Sequence, residues 1–297
     1  MSSVTGERSP TPGGNGPVGC GDPRPGILVG LVGTGIAASQ SPAIHQDEAD
    51  AHGVRLIYSL FDLHDDARTL EAVVSSARVL DFAGLNVTHP FKQAVMPLLD
   101  ALSDDAAAIG AVNTVVFRGG AAVGHNTDAA GFGEAFARRL PGADLSCVVQ
   151  IGAGGAGAST GHAILSRGAK RLILVDTDEK RARLLAERLA WRFGADRVAI
   201  SADAADALRG ASGLINATPI GMVGHGGLPL PAAALRPERW VSDIVYFPRE
   251  TELLHAARRI GCRTVDGAGM VVLQAARAFE LFTGLAADRP RMLAALG

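Results

Sequence analysis

Three short polar clusters stand in otherwise apolar stretches of the first half of the chain. They are Ser39-Gln40-Ser41-Pro42, Asn86-Val87-Thr88-His89-Pro90-Phe91-Lys92, and Gly110-Ala111-Val112-Asn113-Thr114 followed by Gly124-His125-Asn126-Thr127-Asp128. Neutral hydroxyls and amides satisfy the hydroxyl groups of a small polyol, and a cation complements or protonates an oxygen. Oxidising a secondary alcohol by hydride transfer also needs a side chain that takes up the hydroxyl proton. With no zinc-type ligand spacing to polarise that oxygen, Lys92 is the candidate, since desolvation can bring a lysine amine toward a working pH. Asp128 would hold and orient it. Spacing alone equally allows both to be ordinary surface residues.

A second chemical signature lies further on. Gly152-Ala153-Gly154-Gly155-Ala156-Gly157 satisfies G-x-G-x-x-G between an apolar strand and a helical stretch. The first glycine permits the tight turn, the second lets backbone approach a pyrophosphate, and the third lets helix and strand pack closely. Phosphates then meet the positive end of a helix. The following strand ends in Val175-Asp176, about two dozen residues after Gly152. An acidic residue near this spacing of ~20 accepts hydrogen bonds from the adenosine ribose. The same carboxylate repels a 2′-phosphate, so the expectation is NAD, with NADP disfavoured. Asp176 could instead cap the helix entered at Thr177-Asp178. Arg181 could clamp the adenosine side or stand in solvent.

The elements that must position these residues follow from periodicity and breakers. Ile27 to Val32 reads as a strand, Ser41 to Ala51 as a helix with Pro42 in its first turn, Leu56 to Leu60 as a strand, Thr69 to Ala77 as a helix and Gly84 to Val87 as a buried strand. Helices are expected at Ala94 to Leu99 and Ser103 to Ile109. After a break near Gly142-Ala143-Asp144 come strand Cys147 to Ile151, a helix to Arg167, strand Leu172 to Val175, helix Lys180 to Phe193, strand Arg197 to Ile200, a short helix and strand Gly213 to Asn216. Val241 to Val245 and Cys262 to Val265 supply later strands, and Met270 to Thr283 a last helix. This alternation predicts an α/β protein whose sheet has parallel members. It divides into a disordered tail over 1–25, a substrate-binding domain from 26–128 plus 268–297, and a Rossmann-type dinucleotide domain over 129–267, with a cleft between.

Composition sets outer bounds. The 297 residues are 47% apolar and 20% charged with a formal net charge of −2, a globular balance with no broad basic field. Nucleic acid and anionic membrane are therefore not expected as partners. No apolar run reaches the ~18–20 residues of a membrane span, and Cys20, Cys147 and Cys262 show neither a disulfide framework nor metal spacing. A soluble cytoplasmic protein, monomer or homodimer, with a small-molecule substrate and no metal is expected. His45, His125 and His89 read as structural, and Trp191 and Trp240 as packing residues.

The clusters above, in order and with their spacing, resemble the signature blocks of the shikimate dehydrogenase family. Asn216-Ala217-Thr218-Pro219-Ile220-Gly221-Met222, Asp243-Ile244-Val245-Tyr246 and Gly267 to Gln274 continue the series, and the resemblance runs from about residue 27 to the end. It implies NAD(P)-dependent oxidation of a ring hydroxyl of shikimate or quinate to the 3-dehydro ketone. Lys92 is then the acid/base residue and Asp128 its partner. Ser39 and Ser41 hold the carboxylate, while Thr88, Asn113, Tyr246 and Gln274 bind hydroxyls or the carboxylate. Gly152, Gly154, Gly155, Ala156, Gly157, Asp176, Arg181 and Thr218 are cofactor contacts, with Ile244 and Gly267 near the nicotinamide.

Two departures refine that picture. Asp176-Thr177-Asp178-Glu179-Lys180-Arg181 replaces the Asn-Arg-Thr type stretch that holds a 2′-phosphate in biosynthetic members. Here the chain looks most like actinobacterial NAD-dependent quinate/shikimate dehydrogenases, which act catabolically. Gly33-Thr34-Gly35-Ile36-Ala37-Ala38 also departs from the usual Gly-x-Pro-Ile, leaving quinate against shikimate open. An aminated analogue as substrate and a non-catalytic NAD-binding module are the alternatives; the Ser39 and Ser41 cluster gives no support to a folate-linked dehydrogenase.

Overall fold

A computed structural model describes residues 26–63 and 67–295, so the expected tail lies outside the described residues. Two six-stranded sheets organise the molecule. The first is built from β1 (Ile27–Gly33), β2 (Leu56–Asp62), β3 (Gly84–Val87), β4 (Ala101–Leu102), β5 (Thr114–Arg118) and β6 (Ala121–His125), in the spatial order β2-β1-β3-β5-β6-β4. Helices α1 (Ser41–Ala51), α2 (Ala67–Val79) and α3 (Asp104–Ile109) connect its strands, and α4 (Thr127–Arg139) leaves it.

The second sheet holds β7 (Val148–Ile151), β8 (Leu172–Val175), β9 (Val198–Ile200), β10 (Gly213–Asn216), β11 (Trp240–Asp243) and β12 (Arg263–Val265). All its neighbours are parallel, in the order β12-β11-β10-β7-β8-β9. The helices along it are α5 (Gly155–Ser166), α6 (Glu179–Phe193), α7 (Ala204–Leu208) and α8 (Glu252–Ile260). Strand order reverses between β7 and β10, and a crevice beyond the carboxyl ends of the strands at such a reversal is where doubly wound sheets take their ligands. The fold is the expected one, an N-terminal α/β substrate domain beside a Rossmann-type domain.

Local sequence explains the starts and stops. Ser103 Oγ accepts the Ala106 amide at the head of α3, and Gly110 ends that helix at φ 70°. Asn126 Oδ1 accepts the Ala129 amide and starts α4, which puts Asp128 in its first turn. Asp178 caps α6 through the Arg181 amide. The last long helix, α9 (Ala268–Thr283), returns to the first sheet, where its Phe279 and Phe282 pack with Val29, Leu31 and Tyr58. A final helix, α10 (Arg289–Ala294), is tied to α1 because Arg291 Nη2 donates to the buried Glu48 carboxylate at 2.8 Å.

Two expectations need correction, the helix at Ala94 to Leu99 and the packing of Trp191. Ala94 to Leu99 is not a helix; only Met96–Leu98 makes one 3₁₀ turn, since Pro97 has no N–H and its ring blocks a continuing α-helix. The first sheet has the expected parallel members, β2, β1 and β3, and is mixed because β3, β5 and β6 pair antiparallel. Gly119 and Gly120, at φ 58° and 79°, make the tight β5–β6 turn that needs two left-handed residues. Trp191 is 85% exposed rather than packed: α6 buries Ala182, Leu185 and Leu189, and Trp191 falls on the other side of that helix. Trp240 does pack, edge-on to Phe136, with its indole N–H donated to the Asp144 carbonyl.

Candidate active site

Lys92 follows the β3 strand end, and Asp128 opens α4. Lys92 Nζ donates to Asp128 Oδ2 at 2.6 Å, with the carboxylate side chain 9% exposed and the lysine 21%. The other carboxylate oxygen accepts from Asn113 Nδ2 at 2.9 Å. Asn113 also donates to Thr127 Oγ1 and reaches Gln274 Oε1 at 3.4 Å, while Thr127 Oγ1 donates to the same Gln274 oxygen at 3.2 Å. Gln274 comes from α9, so the returning helix closes this cluster. A carboxylate held by a cation and an amide at once has a defined orientation and offers the lysine one position.

A buried hydrogen-bond chain runs from this cluster to the serines. Thr114 Oγ1 donates to Asn113 Oδ1, Asn86 Nδ2 donates to Thr114 Oγ1, and Tyr58 Oη donates to Asn86 Oδ1 at 2.8 Å. Tyr58 also meets the Ser41 hydroxyl; burial pushes its phenol above its ordinary range, and that bond pulls the other way. Ser39 Oγ donates to Ser41 Oγ at 3.2 Å. His45, one turn into α1, is fully buried, and its Nδ1 lies 2.9 Å from the Ser41 carbonyl. A carbonyl only accepts, so Nδ1 carries the proton. Burial holds this imidazole down to about 4, although its bond to Ser41 raises it.

Of the residues expected from sequence, Lys92, Asp128, Asn113 and Gln274 are brought into one cluster, and Ser39 and Ser41 into a second joined to it. Thr88, at the end of β3, packs its methyl against Gly33. Tyr246 stands outside both networks and is 49% exposed. Thr127, Thr114, Asn86 and Tyr58 belong to the network without having been singled out. The first three were legible as members of the polar clusters. Tyr58 sits in an apolar strand with nothing to distinguish it.

The glycine turn joins β7 to α5. Gly152 lies at φ 103°, and a Cβ on Gly157 would fall 2.2 Å from the Gly152 carbonyl oxygen, so neither position admits a side chain without displacing backbone. No side chain caps α5 at Gly154, which leaves its first amides for a ligand. Space around Gly154 is open, with nothing within 4 Å of where a Cβ would stand. A cleft of about 330 Å³ runs from there, past Gln93 and Ala153, to Arg181, Leu184 and Arg188 on α6. The residues present fit a dinucleotide.

Asp176, at the end of β8, accepts the Ala153 amide at 2.7 Å and the Asp178 amide at 2.9 Å. It therefore braces the glycine turn and does not cap α6, which Asp178 does. The Arg181 guanidinium lies 3.8 Å from its carboxylate. Thr218 is held by Asn216, and Gly267 donates its amide to the Val245 carbonyl beside Ile244. Across the cleft, the Lys92 side chain reaches the glycine turn: a Cβ on Gly155 would meet Lys92 Cδ at 3.9 Å.

The lysine–carboxylate pair against an uncapped dinucleotide turn matches the family resemblance, and comparison with known proteins decides it. Residues 31–115 match the shikimate dehydrogenase substrate binding domain, and residues 267–296 the shikimate 5′-dehydrogenase C-terminal domain. A shikimate dehydrogenase (NADP(+)) of Streptomyces avermitilis is 52% identical over 272 residues, covering 90% of this chain and 94% of that one. The chain belongs to the shikimate dehydrogenase family. Within that family, a quinate/shikimate dehydrogenase (NAD(+)) of Corynebacterium glutamicum is 44% identical over 273 residues, covering 90% of this chain and 96% of the relative. The solved quinate dehydrogenase from Corynebacterium glutamicum in complex with NAD superposes with a TM-score of 0.87 at 43% identity, over 91% of this chain and 98% of that one. Among the described residues no helix is long and apolar enough to cross a membrane.

Proposed function

We propose that this protein catalyses the reversible oxidation of the ring secondary hydroxyl of quinate or shikimate to the 3-dehydro ketone, with NAD as the preferred cofactor. The observation that carries this reading is the 2.6 Å contact between Lys92 and Asp128, set beside the dinucleotide turn through Gly155.

In the oxidative direction Lys92, in its neutral form, accepts the hydroxyl proton, and in the reverse direction its ammonium returns it. The bound nicotinamide supplies the hydride acceptor. Asp128 fixes the amine and, with Asn113 and Gln274, accepts or donates to neighbouring ring hydroxyls. Ser39 and Ser41 take the carboxylate, Thr88 and Tyr246 line the same substrate, and Thr218, Ile244 and Gly267 flank the nicotinamide end. A domain division at 26–128 with 268–297 against 129–267 goes with this reading, because it places the acid/base pair on one side of the cleft and the glycine turn on the other.

Preference for NAD is supported by Asp176. Two backbone amides fix its negative charge at the ribose end, where a 2′-phosphate would meet it. Relatives named for each cofactor stand on either side of this assignment. The test is a two-by-two assay of quinate and shikimate with NAD and NADP, following reduced cofactor by absorbance. Turnover with NAD on either acid supports the proposal. No turnover on any of the four combinations contradicts it.

A further inference from the structure

The Asp243 carboxylate, at the end of β11, is 1% exposed and has no cation among its hydrogen-bond partners. Its Oδ1 accepts from Asn216 Nδ2 at 3.0 Å and from the Val245 amide at 3.1 Å, and its Oδ2 accepts from Thr251 Oγ1 at 2.7 Å. A charge taken out of water with only neutral donors around it is costly to fold. Burial accordingly pushes the carboxyl up to about 6, against the pull of its three hydrogen bonds. An amide side chain would avoid that cost, yet three donors converge here, and a carboxylate is the side chain that only accepts.

Each donor belongs to a different segment. Asn216 ends β10, and its own Oδ1 accepts the amide and the hydroxyl of Thr218, while its Nδ2 also reaches the Ile220 carbonyl. Val245 lies in the loop that carries Ile244 and Tyr246. Thr251 caps α8 by accepting the Leu254 amide, and so anchors the far end of that loop. Gly267 abuts the loop from the other side: a Cβ there would fall 2.1 Å from the Ile244 carbonyl oxygen. Asp243 thus joins the β10 exit, the β11 exit and the head of α8 at the carboxyl end of the parallel sheet.

We propose that Asp243 is a positioning residue for the nicotinamide half of the cofactor, holding Ile244 in register with Thr218 and Gly267. It rests on the dinucleotide reading above and touches neither substrate nor cofactor itself. Asp243→Asn keeps size but replaces one acceptor oxygen with an N–H₂, so the bond donated by Thr251 Oγ1 is lost or reversed. The adenosine and pyrophosphate contacts, at Gly152 to Gly157 and Asp176, are left as they are.

The test compares NADH with ADP-ribose, which lacks the nicotinamide, on the full-length protein. In the wild type, both bind and NADH fluorescence rises on binding. In Asp243→Asn, ADP-ribose is expected to bind within twofold of wild type, the fluorescence gain of saturating NADH to fall by more than half, and kcat to drop at least tenfold. Thr251→Val removes one of the three donors and carries the same expectation in weaker form should Asp243→Asn fail to fold. An unchanged fluorescence gain at saturation, or ADP-ribose weakened in step with NADH, overturns the proposal. Wild-type protein that binds ADP-ribose yet shows no fluorescence gain with NADH also overturns it. Binding of neither ligand to wild type overturns the dinucleotide reading and this proposal together.

Discussion

The aliphatic stem of Lys92 faces Gly155, the first residue of the helix behind the glycine turn, near enough that a Cβ there would meet Lys92 Cδ at 3.9 Å. The amine beyond that stem is bonded to Asp128, and the first amides of α5 have no side-chain cap, so the lysine–carboxylate pair and the glycine turn face each other.

Asp176 should govern cofactor choice. Its charge is fixed by the Ala153 and Asp178 amides, and an amide in its place would repel a 2′-phosphate less. Asp176→Asn is expected to lower the ratio of kcat/KM for NAD to that for NADP by about tenfold, a change of about 1.4 kcal/mol. A ratio equal to that of wild type would remove Asp176 from the ribose site.

Tyr58 links the serine pair to the Asn113 cluster without adding charge. Tyr58→Phe keeps the ring and deletes the donor to Asn86 Oδ1, whose other environment is buried. Leaving a buried acceptor without its donor costs about 1–3 kcal/mol. The urea midpoint should fall by the corresponding amount with the m-value unchanged, and an unmoved midpoint would mean that the bond contributes nothing.

His45 makes stability depend on pH in a defined direction. Its folded pKa of about 4 lies below the ordinary histidine value of 6.5, so the unfolded chain binds more protons between them. Stability from this group is therefore full above about 6.5 and declines as pH falls toward 4. Between pH 7 and 5 the decline is about 2 kcal/mol. Asp243, raised to about 6, acts oppositely: its buried charge destabilises the fold at pH 7 and is relieved as pH drops through 6. The comparison must therefore be made against a variant. His45→Asn should lose about 2 kcal/mol less than wild type on going from pH 7 to 5, read from denaturation curves at both pH values. Equal losses would show that the imidazole takes up its proton in the folded protein.

The legible parts of this protein were those written in local pattern. Gly84 to Val87, Leu172 to Val175 and Gly213 to Asn216 are short apolar runs between breakers, and the strands begin and end where those runs do. In sequence the hairpin at residues 114–125 reads as polar clusters, because its Asn113-Thr114 and His125-Asn126 flanks carry network-forming side chains in place of a strand pattern. Helix α4 has a faint signature in sequence for the related reason that Gly131 and Gly133 weaken its helical signal. Gly131 is required there because α9 packs on it: a Cβ would fall 2.6 Å from the Gln274 amide. Trp191 reads as a packing residue because an aromatic side chain is usually buried, and only its helical phase relative to Leu185 and Leu189 puts it outside. In the site, Lys92 and Asp128 were findable as types. That Asp243 would be buried without a cation depends on which segments the sheet brings together, and no spacing in the sequence records it.

The central claim is that Lys92 moves the substrate proton beside the dinucleotide turn. The most direct test is kcat for Lys92→Ala in NAD-dependent oxidation of quinate and shikimate, measured with ADP-ribose affinity as a control for the cofactor cleft. Proton transfer by a positioned side chain typically gives ~10²–10⁴-fold, so kcat should fall by about that factor while ADP-ribose binds as in wild type. A kcat within about tenfold of wild type would contradict the account.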